Sequence, residues 1–248
     1  MGLIVVDVGN TRIKWGLCSS EHVWSIAALP PDDANAWLKQ WQEWKIQRNQ
    51  AWVISGVHPQ RRDALIAWLQ SRSDTIHVLG SHEQLPLQVE VEHPDKVGID
   101  RLLNAVAANL RRQENVAAIL IDAGSAVTVD YLDGAGVFRG GAIFPGFNLM
   151  AKALHDYTAL LPLVSMDPGI LPPGSTTAPA IQAGVFHALV GGIERLIFEY
   201  QHRYPMAFEI FLTGGDAKTL VTRLHHPVHH WPEMTLEGIL HSRGSTGS

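Results

Sequence analysis

The sequence predicts a duplicated, two-lobed α/β protein with mixed sheets. Three observations carry that prediction: an apolar strand at the start that ends in an Asp-x-Gly turn, the return of the same pattern near mid-chain, and alternation of strand and helix after each copy. The first copy is Leu3-Ile4-Val5-Val6-Asp7-Val8-Gly9-Asn10; the second is Ala118-Ile119-Leu120-Ile121-Asp122-Ala123-Gly124-Ser125. In each, a carboxylate closes the strand, a glycine turns the chain and a small polar residue follows. Repetition at half the chain length marks a doubled architecture. A chain of 248 residues is long enough to bury two cores.

The elements follow in order. Residues 3–7 and 12–17 read as two short strands around Val8-Gly9-Asn10-Thr11. A helix over 33–47 places Ala34, Trp37, Leu38, Trp41 and Trp44 on one face. A tryptophan stripe at that spacing is core packing, not a ligand site. Residues 51–55 are a buried strand, 59–70 a helix with Leu65, Ile66 and Leu69 inward, and 76–79 a further strand. The period through Leu102, Leu103, Val106, Ala107 and Leu110 predicts a helix over 98–112. In the second half, strands are expected at 127–132 and 136–143, with Gly140-Gly141 at a bend and Pro145-Gly146 opening a helix. A long helix over 177–200 buries Ile181, Val185, Leu189, Ile193 and Ile197; a strand over 208–212 and a helix over 216–224 follow. The lobes are therefore expected at 1–114 and 115–243. Residues 244–248, Gly-Ser-Thr-Gly-Ser, have the composition of a linker or cloning scar and are set aside.

Composition excludes several classes. Apolar runs such as Val116–Ile121 fall far short of the roughly 20 residues a membrane span takes. The first residues carry no charged stretch and lead straight into a strand, unlike a signal peptide. A single cysteine, Cys18, allows no disulfide within the chain and fits a reducing, cytoplasmic setting. A net charge of −5 disfavours nucleic acid, which wants a concentrated basic face; Arg111-Arg112 is an ordinary helix end. There is no Gly-x4-Gly-Lys-Ser/Thr loop, no Gly-x-Gly-x-x-Gly fingerprint, no His-Glu-x-x-His and no Gly-x-Ser-x-Gly. The pairs His225-His226 and His229-His230 have no acidic or cysteine partner in their own stretch, which reads as a surface loop.

The chemistry concentrates in three places. The turn after Asp7 presents backbone N–H groups and the small side chains of Asn10 and Thr11, donors suited to phosphate oxygens. Lys14 is placed to neutralise them, and Asp7 is suited to magnesium, which prefers one or two carboxylates plus phosphate oxygens. The ordinary alternative is a plain hairpin with an Asx turn. The turn at Asp122 to Ser125 would face the first across a cleft between the lobes, clamping a polyphosphate and excluding water. Asp130 on the next strand is a third acidic candidate, or an exposed strand-end residue. Gly98-Ile99-Asp100-Arg101 lies at a helix start, where the dipole and the guanidinium favour an ionised Asp100 able to take a proton from an alcohol. Arg101 is suited to a carboxylate. Taken by itself, that segment reads first as a capping Asp with a surface Arg. Thr213-Gly214-Gly215 makes a tight turn over which an adenine or ribose can lie.

With these residues in view, the chain resembles the type III pantothenate kinases of the acetate/sugar kinase–Hsc70–actin superfamily. The matching segments are Asp7 to Lys14, Gly98 to Arg101, Asp122 to Asp130, Gly140 to Gly146, Thr158 to Pro162, Thr177 with Ala180, Ile181 and Gly184, and Leu212 to Ala217. They occur in family order and span nearly the whole chain. The resemblance implies two actin-like (ribonuclease H-like) lobes with a nucleotide cleft between them. It implies ATP-dependent phosphorylation of pantothenate to 4′-phosphopantothenate, the first step of coenzyme A synthesis. By the same resemblance Asp7, Val8, Gly9, Asn10, Thr11, Arg12, Ile13 and Lys14 form the ATP phosphate loop, Ser125 touches ATP, and Thr213, Gly214 and Gly215 lie by the adenosine. Asp100 is the general base; Gly98, Ile99, Asp100, Arg101 and Thr177 contact pantothenate. Asp122 holds the monovalent cation, potassium or ammonium, and Mg²⁺ or another divalent ion accompanies ATP. The family's homodimer implies that residues 177–200 form the subunit face.

Two departures stand out. Ser125 replaces the usual Thr and keeps the hydroxyl. Val91 stands where the family carries a tyrosine against pantothenate, so a phenolic hydrogen bond is lost. Two other readings stay open: a kinase of the same superfamily for another small alcohol or carboxylate, and a non-catalytic nucleotide-binding regulator.

Overall fold

The computed structural model describes residues 2–72 and 75–244, so residues 245–248 of the tail lie outside the described residues. The chain divides into two compact units. The first runs to Arg111 and adds Gly136–Phe138 and the segment from Glu233 onward; the second holds Arg112–Ala135 and Arg139–Pro232.

In the first unit, β1 (Leu3–Val8), β2 (Ile13–Cys18) and β3 (Val23–Leu29) form an antiparallel meander. β4 (Ala51–Gly56) and β5 (Thr75–Val78) add parallel on the other side of β1, giving the order β3-β2-β1-β4-β5. The parallel pairings require crossovers, supplied by α1 (Ala34–Glu43) and α2 (Pro59–Gln70). As the central strand β1 is buried on both faces, which is why it reads as an unbroken apolar run. One face carries Ile4, Val6 and Val8 into a core with Trp15, Trp37, Trp52, Leu65 and Leu69. The rings of Trp15 and Trp52 meet edge-on at 5.0 Å, so the tryptophan stripe is packing, as its spacing predicts. Helix α1 is shorter than the sequence pattern: Asp33 caps its start, and Lys45, at φ +51°, lies just past its end.

The opposite face is covered by α3 (Ile99–Arg111) and α7 (Met234–Ser242). Gly238 allows the close crossing; a Cβ there would lie 2.0 Å from the Leu103 carbonyl oxygen. The buried Thr235 hydroxyl donates to Asn104 Oδ1 at 2.8 Å. Leu110, expected inward, is exposed. Cys18 is buried in this unit, and burial pushes its thiol up to about 12.

The second unit repeats the plan. β6 (Ala117–Ala123) pairs antiparallel with β7 (Ala126–Leu132), β8 (Phe138–Pro145) flanks β7, and β9 (Phe208–Thr213) joins β6 in parallel. β10 (His229–His230) completes the order β10-β9-β6-β7-β8. Read from the other edge this is the order of the first sheet, strand for strand. Two five-stranded mixed sheets of the same topology are the duplicated actin-like lobes that the sequence predicts. Helices α4 (Phe147–Asp156) and α5 (Thr177–Arg203) supply Phe147, Ala151, Ile181, Val185, Leu189, Ile193 and Ile197 to this core. By length and apolar content α5 is a helix that can cross a membrane. Its apolar stripe is accounted for by packing on the sheet.

The structure differs from the sequence reading in several elements. β3 and α7 were not expected, and α7 belongs with the first unit although its residues fall in the stretch expected for the second lobe. Gly140 and Gly141 lie inside β8, where Gly140 takes φ +96° and a Cβ on Gly141 would meet Asp130 Oδ1 at 2.2 Å. Asp130 itself is buried, so it is no exposed strand end. The helix expected over 216–224 is only α6 (Ala217–Leu220), since the β-branched Val221 and Thr222 favour it poorly. His229-His230 is not loop but an edge strand. The histidines also find acidic partners from distant sequence: Glu194 beside His225 and His226, and Glu209 beside His229. Among the described residues no cluster has the makings of a metal site from His, Cys, Asp and Glu.

Candidate active site

The first turn is built by β1 and β2. Register pairs Asp7 with Lys14 and Val8 with Ile13, so the carboxylate and the ammonium-bearing residue share one face of the hairpin. Beyond them Gly9 N–H donates to the Arg12 carbonyl at 3.0 Å, closing the loop over Asn10 and Thr11, both exposed. A Cβ at Gly9 would press on that same carbonyl at 3.1 Å, which keeps this corner small. Gly56, at φ +147°, lies so close to Val8 that a Cβ would come within 2.3 Å of its carbonyl oxygen. The end of β4 is thus laid directly against the root of the turn, and Val57 N–H donates to Val8 O at 3.2 Å.

Asp100 and Arg101 open α3 in the same unit. Asp100 Oδ1 accepts the Arg101 backbone N–H at 2.8 Å. A Cβ at Gly98 would lie 2.6 Å from that oxygen, so a side chain there would make the Asp100 carboxylate shift. The Arg101 guanidinium sits 5.6 Å from the centre of the Phe138 ring, a cation–π contact. Phe138 also receives the strand before Val91: its N–H donates to Gln88 O at 2.9 Å and its carbonyl accepts Glu90 N–H at 3.0 Å. Arg101 and the backbone of Gln88 and Glu90, next to Val91, therefore meet at one phenylalanine.

In the second unit β6 and β7 build the matching turn, with Gly124 N–H donating to Ala126 O at 3.1 Å. Two other segments lock onto it. Gly146, the cap of α4, donates to Ser125 O at 2.9 Å, and a Cβ on it would lie 2.2 Å from Gly124 O. Gly214, at φ +102°, lies against Ala123, whose carbonyl accepts Asp216 N–H at 2.9 Å. So Ser125, Thr213, Gly214 and Gly215 are brought to one place. Burial raises the Asp216 carboxyl above its usual range.

Asp122 is paired across the sheet with Thr128 on one side and Thr213 on the other. The hydroxyls of Thr128 and Thr213 are buried and lack a hydrogen-bond partner. A row of oxygens flanking a carboxylate, two of them unsatisfied, fits a bound cation. Thr128 was absent from the sequence-derived site; its register opposite Asp122 was the available signal.

Thr177 begins α5 and lines a cavity of about 1040 Å³ between α4 and α5, with Pro145, Tyr157, Leu161, Ile181 and Gly184. It is thus placed beside the β8–α4 corner and away from any charged group of its own cavity. Sequence reading also missed Arg61 on α2, which donates through Nη1 to the Asn10 carbonyl in the first turn.

A family model described as type III pantothenate kinase matches residues 3–199. A type III pantothenate kinase of Flavobacterium johnsoniae is 30% identical over 237 residues, covering 96% of this chain and 95% of the relative. One from Synechococcus sp. (strain JA-3-3Ab) is 32% identical over 239 residues, covering 94% and 88%. Among solved structures, the activator of the 2-hydroxyisocaproyl-CoA dehydratase from Clostridium difficile, with bound ADPNP, aligns with a TM-score of 0.53 at 11% identity. That alignment covers 98% of this chain and 92% of the activator, a likeness of fold. With a matching family model, near-full-length relatives and the doubled actin-like sheets in agreement, this chain belongs to the type III pantothenate kinases.

Proposed function

We propose that this chain transfers the γ-phosphoryl group of ATP to the primary hydroxyl of pantothenate, giving 4′-phosphopantothenate in the first step of coenzyme A synthesis. The observation that carries this reading is the family match across residues 3–199, which includes both Asp-x-Gly turns and the Asp100 helix start. The turn from Asp7 to Lys14 binds the phosphates through backbone donors and the Lys14 ammonium. Ser125 and the Thr213-Gly214-Gly215 turn hold the nucleotide from the second unit. Gly98, Ile99 and Arg101 hold pantothenate, with the Arg101 fork, braced on Phe138, directed to its carboxylate. Val91, in the first unit, and Thr177, at the start of α5 in the second, are the further substrate candidates that the resemblance implies.

Asp100 accepts the hydroxyl proton as the alcohol oxygen bonds to the γ-phosphorus and the bond to the ADP oxygen breaks. A divalent cation, Mg²⁺ for preference, supplies neutralisation of the phosphate charge when bound, and Asp7 is the residue suited to hold it. Asp122, with the orphaned hydroxyls of Thr128 and Thr213, suits the potassium or ammonium ion of the family. The reaction belongs in the cytoplasm, in keeping with one cysteine held buried as a thiol.

ADP release measured with and without pantothenate, in potassium and in sodium buffer, tests substrate and cation together. Release is expected only with pantothenate, and faster in potassium. Asp100→Asn should lower kcat by about 10²-fold or more, the scale for losing a general base. A variant near wild-type turnover would remove that role from Asp100. The valine at position 91 favours a second reading, a kinase for a different small alcohol; pantothenate inert beside an active rival alcohol would establish it.

A further inference from the structure

We propose that Arg61 is a positioning residue for the phosphate turn, holding one of its peptide planes in the orientation that ATP needs. The inference rests on the reading of Asp7 to Lys14 as the ATP phosphate loop.

Arg61 lies in the first turn of α2, whose start is set by Pro59 and by His58, the capping residue; Nδ1 of His58 accepts the Arg61 N–H at 3.4 Å. Its side chain is largely buried, at 23% exposure, and makes three directed bonds. Nε and Nη2 hold the two carboxylate oxygens of Asp32 at 3.2 and 2.9 Å, a bidentate fork. That fork fixes the guanidinium plane and leaves Nη1 to donate to the Asn10 carbonyl. A helix start, a loop carboxylate and the tip of the β1–β2 hairpin are thereby joined by one planar group.

The consequence lies in the peptide between Asn10 and Thr11. In a trans peptide the C=O and the following N–H point in opposite directions. Drawing the Asn10 oxygen towards Arg61 turns the Thr11 N–H to the other side. It also removes a carbonyl dipole, repulsive to phosphate, from the face that the turn presents. Arg61 thereby opposes rotation of this peptide, at the exposed tip of a two-stranded turn, towards the orientation that offers oxygen instead of nitrogen. The bond is charge-assisted, so it is stronger than a neutral surface bond. Lysine cannot reproduce it, since a single ammonium has no fixed fork to serve Asp32 and Asn10 together.

The test uses the full chain with Arg61→Lys and Asp32→Ala, the latter acting on the turn only through the arginine. Michaelis constants for ATP and pantothenate are measured, together with binding of a non-hydrolysable ATP analogue and of adenosine by calorimetry. Arg61→Lys should raise the KM for ATP and weaken the analogue about five- to tenfold, the scale of one net hydrogen bond. The KM for pantothenate and the affinity for adenosine should stay within twofold, and Asp32→Ala should follow in the same direction with a smaller effect. A lower Tm with unchanged ATP constants would overturn the proposal, leaving Arg61 a structural brace. Equal shifts for ATP and pantothenate would overturn it as well. Lys14→Ala separates this from the reading beneath it: if that variant raises the KM for ATP while Arg61→Lys does not, only the arginine's role falls. If neither moves it, the phosphate-loop reading falls too.

Discussion

At Gly214 the backbone adopts φ +102°, and a Cβ would lie 2.3 Å from the Ala123 carbonyl oxygen. Neither condition suits a side chain: a left-handed backbone costs about 1–2 kcal/mol for an L-residue, and the contact forces β9 away from β6. Gly214→Ala should therefore lower stability by about 2 kcal/mol or more, read as a fall in Tm, and weaken nucleotide binding along with it. A variant with unchanged Tm would show that the close approach is not needed. Such residues were legible in sequence wherever the chemistry sits in contiguous letters: the Asp-x-Gly turns, Gly98 before Asp100, and the Thr-Gly-Gly turn. Arg61 was not legible, because its partners Asn10 and Asp32 stand 51 and 29 positions away and neither interval belongs to a repeating pattern. Thr128 was hidden for a related reason. Its meaning comes from facing Asp122 across a ladder, and register is a property of pairing.

Among the elements, α7 is the one whose sequence least resembles its role. Thr235, Glu237, Gly238 and Ser242 are all buried in it, so it lacks the apolar stripe by which α5 announces itself. Glycine and threonine serve there because α3 comes close enough to exclude larger groups. Gly238→Ala places a methyl 2.0 Å from Leu103 O, and the helices must separate. Overpacking of this kind costs about 1–3 kcal/mol. Since α3 carries Asp100, kcat should fall while adenosine affinity is kept; circular dichroism melts and turnover together check it. Loss of Tm without loss of kcat would mean that the start of α3 is held independently of its crossing with α7. β3 went unread for the opposite reason: its alternation is imperfect, with two half-buried residues in sequence at Ser25 and Ile26. Helix α2, by contrast, was placed to the residue, since Pro59 opens it and Leu65 and Leu69, one turn apart, are buried as read.

Across the molecule, two sheets share one strand order, and the repeat from which the doubling was inferred is four residues long beyond its apolar run. Doubling was legible; the assignment of the chain's last helix was not, because no local signal tells a helix which sheet it will cover. The outer surface of α4 and α5 and the loop between them keep Leu149, Tyr157, Leu160 and Phe198 exposed, Tyr157 and Leu160 at 89% and 91%. We expect a second copy to cover these residues, as the family's homodimer implies. Leu160→Glu with Tyr157→Glu should then shift the mass measured by sedimentation from dimer to monomer; a wild-type monomer at working concentration would exclude that arrangement. Finally, the return of α7 to the first sheet sets an order on biosynthesis. While a ribosome is still adding the residues before Met234, β1 to β5 and α3 have been made but α7 has not. The N-terminal sheet, made first, meanwhile waits with part of one apolar flank uncovered. A nascent chain stalled at that point presents that flank to chaperones until α7 is made and docks.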